Sequence, residues 1–376
     1  MKRSWFYGFL IVLCIASFAF IYGCGSNATG GGGGGGGGGV TIVTNRPGTY
    51  EYSGPQSQGD VWTWVISTET FFGTNETKGF WVSGTYETLS TKFCKAFVID
   101  SSDPTITGET AVFLEFPNTM LMVHPVSTNE GNGDNIIICA AHSADEPPTG
   151  KYIWVTMPWQ NWDPGMTAYG TVEVTQPGGE GYDFSFYVTP YLMTDEAGAE
   201  FEPSPNTYTY DDGVLTGGNY PSGDPMIFMT PTGVFMGDQG PGNGGIAGCS
   251  YEAIVISNLI NKEYRGVMFN YFASTGTNET WPIAARPIST TTMRGTSYID
   301  NDITKGEDPT KGVTITFEAQ AATGILTMYT HDIGNDQNGV YKAVAAKVGS
   351  TGKYMLCAFG IEQGNPRNFL VIQVDD

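Results

Sequence analysis

Apolar and polar residues alternate with period two along most of the chain after Val40, and helical periodicity is almost absent. In the run that starts at Tyr182, for example, Tyr182, Phe184, Phe186 and Val188 would share one face of an extended strand. Clusters of Gly, Pro, Asn and Asp separate such runs, as they do in antiparallel hairpins. The pattern predicts an all-β body built as an antiparallel meander.

The strand-like runs recur as a set along the body, residues 40–376. The run Phe113–Met122 resembles Met226–Met236, and Phe317–Met328 reads as a third copy. A polar loop and then a short apolar strand follow each copy. We therefore predict three imperfect repeats, at about 61–145, 150–255 and 262–376.

Repeated antiparallel strands can close in several ways. Three blades are fewer than the roughly four to eight of ordinary propellers. A meander that curls into barrels, or packs as a sandwich, hides its strand edges with the same number of strands. We expect a barrel-like fold, with a β-sandwich or propeller-like arrangement as the alternative, and the number of barrels stays open.

The N-terminal residues have the order of an export signal. Lys2 and Arg3 precede an apolar run, Trp5–Tyr22, and a cysteine follows at Cys24. The apolar run is also close to the length of a membrane-spanning helix, which is the alternative interpretation. An export signal places the rest of the chain outside the cytoplasm.

The segment Ile21-Tyr22-Gly23-Cys24 resembles the lipobox of bacterial lipoproteins. The resemblance implies a signal peptide at residues 1–23 and acylation of Cys24. Because Gly25 rather than Asp follows the cysteine, it also implies sorting to the outer membrane, on either its periplasmic or its outer face. Several acyl chains on one cysteine would give a stable membrane anchor.

Residues 24–39 join this anchor to the body. They contain an unbroken glycine tract, Gly30–Gly39, which has no side chains that could pack. Such a segment behaves as flexible coil with a reach of roughly 20 Å. The sequence therefore predicts a body tethered close to a membrane.

The net charge of the chain disfavours some classes of binding partner. The formal net charge is −21, and removal of Lys2 and Arg3 reduces 17 basic residues to 15 against 38 acidic ones, a net charge of −23. Such an acidic body disfavours nucleic acid and anionic lipid headgroups as partners. The body also lacks the common hydrolase, metalloprotease and nucleotide-binding motifs. His142 has Ser143 and Asp145 nearby, but catalytic triads are assembled from distant segments.

The body contains four cysteines, each in an apolar, strand-like run. Two disulfides would suit an oxidising compartment. A buried thiol, however, behaves as a small apolar side chain in such a run. Buried free thiols are the favoured interpretation for Cys94, Cys139, Cys249 and Cys357.

One polar loop has the composition of a calcium site. Asp332, Asn335, Asp336 and Asn338 offer hard oxygen ligands on a turn that contains glycine. The same residue types dominate ordinary hairpin loops, which is the alternative. No other cofactor is expected.

Aromatic residues supply the second candidate site. Trp159, Trp162 and Tyr169 flank a segment rich in Pro and Gly, where exposed rings could bind a sugar face or an apolar ligand. The alternative is that they cap the end of a barrel. Strand tryptophans are expected in the core instead, namely Trp62, Trp64 and Trp81.

Together these features predict a membrane-anchored envelope lipoprotein that is not an enzyme. Its β-barrel modules would bind a small molecule, a glycan or a partner protein. A structural role in an envelope or extracellular assembly is the first alternative. A carbohydrate-active enzyme is the second, and it would need two carboxylates roughly 5–10 Å apart. Glu115, Glu173 and Glu318 occupy polar positions of strands, where a solvated face is the expectation.

Overall fold

A computed structural model describes most of the body. The described residues are 49–56, 60–116, 120–126, 136–143, 145–157, 168–177, 181–190, 206–211, 214–216, 227–238, 245–252, 254–272, 277–319, 324–333, 338–348, 353–362 and 365–373. All of them belong to one compact unit, residues 41–376. The predicted signal peptide, Cys24 and the glycine tether lie outside them. No helix in the described part is long and apolar enough to cross a membrane.

The described strands are antiparallel and form three closed, eight-stranded barrels, each with its strands in chain order. This confirms the predicted all-β, barrel-like fold. The first barrel closes where the first and last strands pair, at Tyr52 with Ala141 and Ser53 with Ala140. Its strands are β1 (Tyr50–Pro55), β2 (Val61–Ile66), β3 (Thr70–Asn75), β4 (Phe80–Thr88), β5 (Cys94–Ser101), β6 (Thr110–Phe116), β7 (Met120–Val126) and β8 (Ile137–Ala141).

The second barrel closes where its first and last strands pair. This ladder begins with Tyr152 opposite Ser250 and ends with Met157 opposite Gly245. Large aromatic side chains fill its interior, among them Tyr152, Tyr182 and Phe184. Its strands are β9 (Gly150–Met157), β10 (Ala168–Thr175), β11 (Tyr182–Pro190), β12 (Asn206–Asp211), β13 (Val214–Thr216), β14 (Ile227–Met229), β15 (Val234–Asp238) and β16 (Gly245–Ser250).

The third barrel closes between Tyr264–Asn270 and Arg367–Gln373. A short helix, α1 (Ile256–Ile260), precedes it and buries Leu259 and Ile260 in the barrel's apolar core. Its strands are β17 (Tyr264–Phe272), β18 (Thr277–Pro287), β19 (Met293–Ser297), β20 (Val313–Ala319), β21 (Leu326–Asp332), β22 (Asn338–Val348), β23 (Lys353–Glu362) and β24 (Asn365–Gln373).

A fourth apolar cluster, which we call the junction core, lies between the barrels. It collects outward-facing residues from all three, for example Leu114 of β6, Val155 of β9 and Val344 of β22. Strands that face it are buried on both sides and therefore read as continuous apolar runs. In β8 and the residue before it, Ile136 and Ile138 face the junction core, whereas Ile137 and Cys139 face the barrel interior.

The four body cysteines are free and buried, which confirms the favoured interpretation. Cys94 and Cys139 lie inside the first barrel. Cys249 and Cys357 lie in the junction core, where the Cys249 thiol donates to the Ala345 carbonyl at 3.5 Å and so links the second barrel to the third.

Candidate functional site

The first barrel contains a cavity of about 320 Å³. This volume lies at the small end of the range of roughly 300–1,000 Å³ found for ligand pockets. Residues from the β1–β2, β3–β4 and β5–β6 connections line it, so it lies at the barrel end that these connections share. Most of the lining side chains are apolar.

An aromatic wall forms one side of the cavity. Trp62 and Trp64 both point inward because residues two apart on β2 share a face. Their rings stack at 5.0 Å between centroids, with only 14° between the planes. Phe80 packs edge-on against Trp62 at 5.3 Å, and Phe71 lies 6.0 Å from Trp64. The stacked rings form one rigid apolar surface.

Small side chains form another part of the lining. Ala96 of β5 and Ala111 of β6 are cross-strand partners, and both line the cavity. Strand β6 lies four strands from β2 in an eight-stranded barrel, and therefore across the interior from it. Side chains normally just fill a barrel of this size. The alanines leave space that larger residues would occupy.

Trp64 is held by the strand beside it. Its cross-strand partner is Gly73, and a Cβ atom on Gly73 would lie 2.6 Å from the indole ring. The ring can therefore lie against β3 only because residue 73 has no side chain. Trp64 is 6% exposed, and its Nε1 has no hydrogen-bond partner among the described residues. The indole of Trp62, in contrast, donates to Gln56 Oε1 at 2.5 Å.

A buried carboxylate lies at the mouth of the cavity. Asp60 is only 6% exposed, and its Oδ2 accepts a hydrogen bond from Asn75 Nδ2 at 2.9 Å. The Lys78 ammonium lies 2.7 Å from the same oxygen, although the Lys78 side chain is 55% exposed. Both contacts are to Oδ2, and the other oxygen, Oδ1, is not among the described buried atoms that lack a hydrogen-bond partner. Glu109 adds a second carboxyl group to the lining.

Glu115 also points into the first barrel, where the Tyr52 hydroxyl donates to its carboxylate. The expectation of a solvated face was wrong for Glu115, because the outer face of β6 is buried in the junction core. It holds for Glu173 and Glu318, which are exposed.

The expectation that strand tryptophans lie in the core was also confirmed only in part. Trp62 and Trp64 are in the core, as predicted, and they also line the cavity. The expectation was wrong for Trp81, which is half-buried on the outer face of β4 and stacks on the exposed Phe72 at 5.9 Å.

The predicted aromatic site lies partly outside the described residues. Trp159 and Trp162 lie outside the described residues. Tyr169 lies in β10, is half-buried and packs against the junction core. The Lys342 ammonium of the third barrel lies 5.4 Å from the center of the Tyr169 ring, and Lys342 itself is 4% exposed. The structure therefore places Tyr169 in a contact between two barrels.

The predicted calcium loop is also described only at its ends. Asp332 ends β21 and Asn338 begins β22, whereas Asn335 and Asp336 lie outside the described residues. The Asn338 side-chain oxygen is 2.9 Å from His331 Nδ1. Within the described ranges, no three His, Cys, Asp or Glu side chains are grouped as metal ligands. The calcium site stays a prediction.

His142 bonds to a serine that the sequence did not single out. Its Nε2 lies 2.5 Å from Ser53 Oγ, and its Nδ1 lies 4.0 Å from a Glu51 carboxylate oxygen. A serine–histidine hydrogen bond is one element of a nucleophilic site. However, Ser53 is only 4% exposed, and 4.0 Å is beyond hydrogen-bond distance. The pair fastens β1 to the residue that follows β8, where the barrel closes.

No protein-family model matches the sequence, and no curated protein matches it. Two mutant structures of the vaccine antigen transferrin-binding protein B from Haemophilus parasuis are similar at 8% identity, with TM-scores of 0.29 and 0.28. The matches cover 88% of this chain and 77% and 76% of those chains. A protein of unknown function from Nostoc punctiforme matches at 6% identity and a TM-score of 0.24, over 60% of this chain and 94% of that one. TM-scores this low do not establish a shared fold.

Proposed function

We propose that this protein is a membrane-anchored, non-enzymatic binding protein of the bacterial cell envelope, and that its first barrel binds a small ligand. The observation that carries the proposal is the cavity of about 320 Å³ in that barrel. Its aromatic wall supplies apolar area, and its mouth supplies a few polar groups. That combination is typical of small-molecule sites.

The rest of the proposal comes from the N-terminal sequence. Acylation of Cys24 would anchor the chain, and the glycine tether would keep the barrels within roughly 20 Å of the membrane. A tethered binding protein can retain a ligand near the membrane without a fixed orientation. This part depends on the lipobox resemblance and stays a prediction.

A carbohydrate-active enzyme is the competing function for the same cavity, because Asp60 and Glu109 both line it. A glycosidase needs one carboxyl group that donates a proton and another that attacks or activates water. Asp60 is instead held by Asn75 and Lys78 through a single oxygen. That arrangement favours a fixed counter-charge, and hence binding, over catalysis.

Filling the cavity tests the proposal. The neutral fluorescent probe N-phenyl-1-naphthylamine should bind the body, with energy transfer from Trp62 and Trp64. Ala111→Phe should weaken this binding at least tenfold, because the new ring occupies the ligand's space. Thr85→Phe is the matched control, since Thr85 is exposed on the outer face of β4.

Melting temperatures of both variants would show that they are folded. Equal probe affinity in the wild type and in a folded Ala111→Phe variant would mean that the cavity is not the site. Loss of binding in Thr85→Phe as well would also count against the proposal, because the effect would then not be specific to the cavity.

A further inference from the structure

We propose that the ligand of the first barrel is an organic cation, a protonated amine on an apolar body, with Asp60 as its counter-charge. This inference rests on the proposed function, because it assigns the ligand class of the same cavity. Four observations support it: the state of Asp60, the exposure of Lys78, the aromatic wall and the charge around the mouth.

Asp60 is a largely buried carboxylate whose two described side-chain contacts are both to one oxygen, Oδ2. The other oxygen, Oδ1, is not among the described buried atoms that lack a hydrogen-bond partner, so solvent in the cavity can reach it until a ligand replaces that solvent. Asp60 lines the cavity, so a bound ligand can supply a donor to Oδ1.

Lys78 shows which chemical group Asp60 accepts. An alkylammonium already lies 2.7 Å from Oδ2, and it reaches there from the turn between β3 and β4. More than half of the Lys78 side chain is exposed, so its ammonium can return to water at little cost. A ligand ammonium that enters from the mouth can therefore take the place of Lys78.

The wall behind Asp60 suits the rest of such a ligand. Trp62 and Phe80 line the cavity beside the mouth. The faces of aromatic rings attract cations, and tryptophan does so most strongly. The two stacked indoles both line the cavity and add apolar area for the rest of the ligand.

Charge favours a cation over an anion. Asp60 and Glu109 are the carboxyl groups among the lining residues, and Lys78 is the lysine among them. An anionic ligand would have to compete with Asp60 for Lys78 while it faced both carboxylates. The chain as a whole carries a net charge of −21, which attracts cations toward the protein.

Three probes with one shared body test the charge preference. They are 1-naphthylmethylamine, which is protonated at pH 7, the neutral 1-naphthalenemethanol and the anionic 1-naphthoate. Equilibrium dialysis against the full body should show that affinity is highest for the amine, lower for the alcohol and lowest for the carboxylate. We expect the amine to bind roughly tenfold more tightly than the alcohol, as for one hydrogen bond to a charged group.

Two substitutions have opposite predicted effects. Asp60→Asn keeps the shape of the side chain and should abolish the advantage of the amine over the alcohol. Lys78→Met removes the internal competitor and should raise amine affinity several-fold. Lys347→Met is the matched control, because it makes the same charge change at an exposed position of the third barrel.

The outcomes separate the two proposals. Equal affinity for all three probes, blocked by Ala111→Phe, would overturn the cation assignment and leave the cavity as a binding site. Tightest binding of 1-naphthoate, weakened by Lys78→Met, would show that the site takes anions. If Ala111→Phe blocks none of the probes, the proposed function itself fails.

Discussion

At the scale of single residues, the cavity depends on one glycine. Trp64 lies over Gly73 at a distance that excludes even a methyl group. The neighbouring indole of Trp62 stacks on Trp64, so a displaced Trp64 would disturb the whole aromatic wall. Gly73 thus positions a surface that it does not itself form.

Gly73→Ala should therefore weaken ligand binding and stability together. Forcing a methyl group into a packed interior typically costs about 1–3 kcal/mol. Near-ultraviolet circular dichroism of the stacked tryptophans, urea unfolding and dialysis with 1-naphthalenemethanol would measure the three effects. Gly79→Ala is the comparison, because a Cβ at Gly79 meets no atom within 4 Å, although its φ of 73° adds some strain. Unchanged tryptophan signals and binding in Gly73→Ala would show that the ring adapts.

At the scale of strands, period-two alternation predicted the fold class and much of the interior. It placed Trp62 and Trp64 on one face, and both are inside the first barrel. The expectation of a solvated face was wrong for Glu115, because alternation shows that the two faces of a strand differ but not which of them is exposed. On β6 the outer face is more thoroughly buried than the inner one, since Leu114 and Phe116 pack in the junction core.

The cavity itself could not be predicted from local patterns. The empty space arises because Ala111 lies across the barrel from the tryptophans. The charged pair at the mouth forms because Asp60, between β1 and β2, contacts Lys78, between β3 and β4. Both features depend on how strands that are not neighbours in the sequence are placed within the barrel. The composition of exposed-looking loops favoured Trp159 and Trp162, whereas the described site uses tryptophans that the sequence had assigned to the core.

Closure of the first barrel is a second strand-level feature. The β1–β8 ladder is short, and the backbone amide of His142 extends it by donating to the Glu51 carbonyl at 2.8 Å. The side chains of His142 and Ser53 add a further hydrogen bond between β1 and the residue that follows β8. Such a bond stabilises a fold by about 1 kcal/mol, and a buried partner left alone costs somewhat more.

Ser53→Ala should accordingly lower the free energy of unfolding by about 1–2 kcal/mol without changing cavity binding. Urea unfolding and dialysis of the cavity probes would measure these two quantities. Thr63→Ala is an informative control, because Thr63 contacts Ser53 at 3.1 Å but does not contact His142 in the described bonds. Loss of an esterase activity in Ser53→Ala, if the wild type had one, would contradict the structural role given to the pair.

At the scale of the whole molecule, the three barrels share the junction core and polar contacts around it. Arg265 of the third barrel donates from Nε to the Thr91 carbonyl of the first at 3.0 Å. Phe93 packs edge-on against Tyr298 across the same contact, with ring centroids 5.5 Å apart. Because each barrel covers apolar outer surface of the others, we expect the body to unfold as one cooperative unit.

Buried thiols inside the first barrel and in the junction core make that unit sensitive to alkali. Burial raises the pKa of Cys94 and of Cys249 to about 12, and it raises the pKa of Cys139 and Cys357 well above the ordinary value of 9.0. Above pH 9 the unfolded chain therefore releases protons that the folded chain keeps. Stability is fully present below that pH and falls as the pH rises toward 12, by up to about 1.4 kcal/mol per thiol per pH unit.

Urea unfolding under reducing conditions at pH 8, 9 and 10 would measure this loss, and Cys249→Ala should reduce its slope by the share of one thiol. Alanine lowers stability at every pH because it leaves a small cavity, so the slope and not the absolute value is the informative quantity. Tyr264, whose pKa is also raised by burial, adds the same further loss in both proteins, so its share cancels in the comparison. An unchanged slope would mean that the Cys249 thiol ionises equally in the folded and unfolded chains, and that the contact between the second and third barrels admits water.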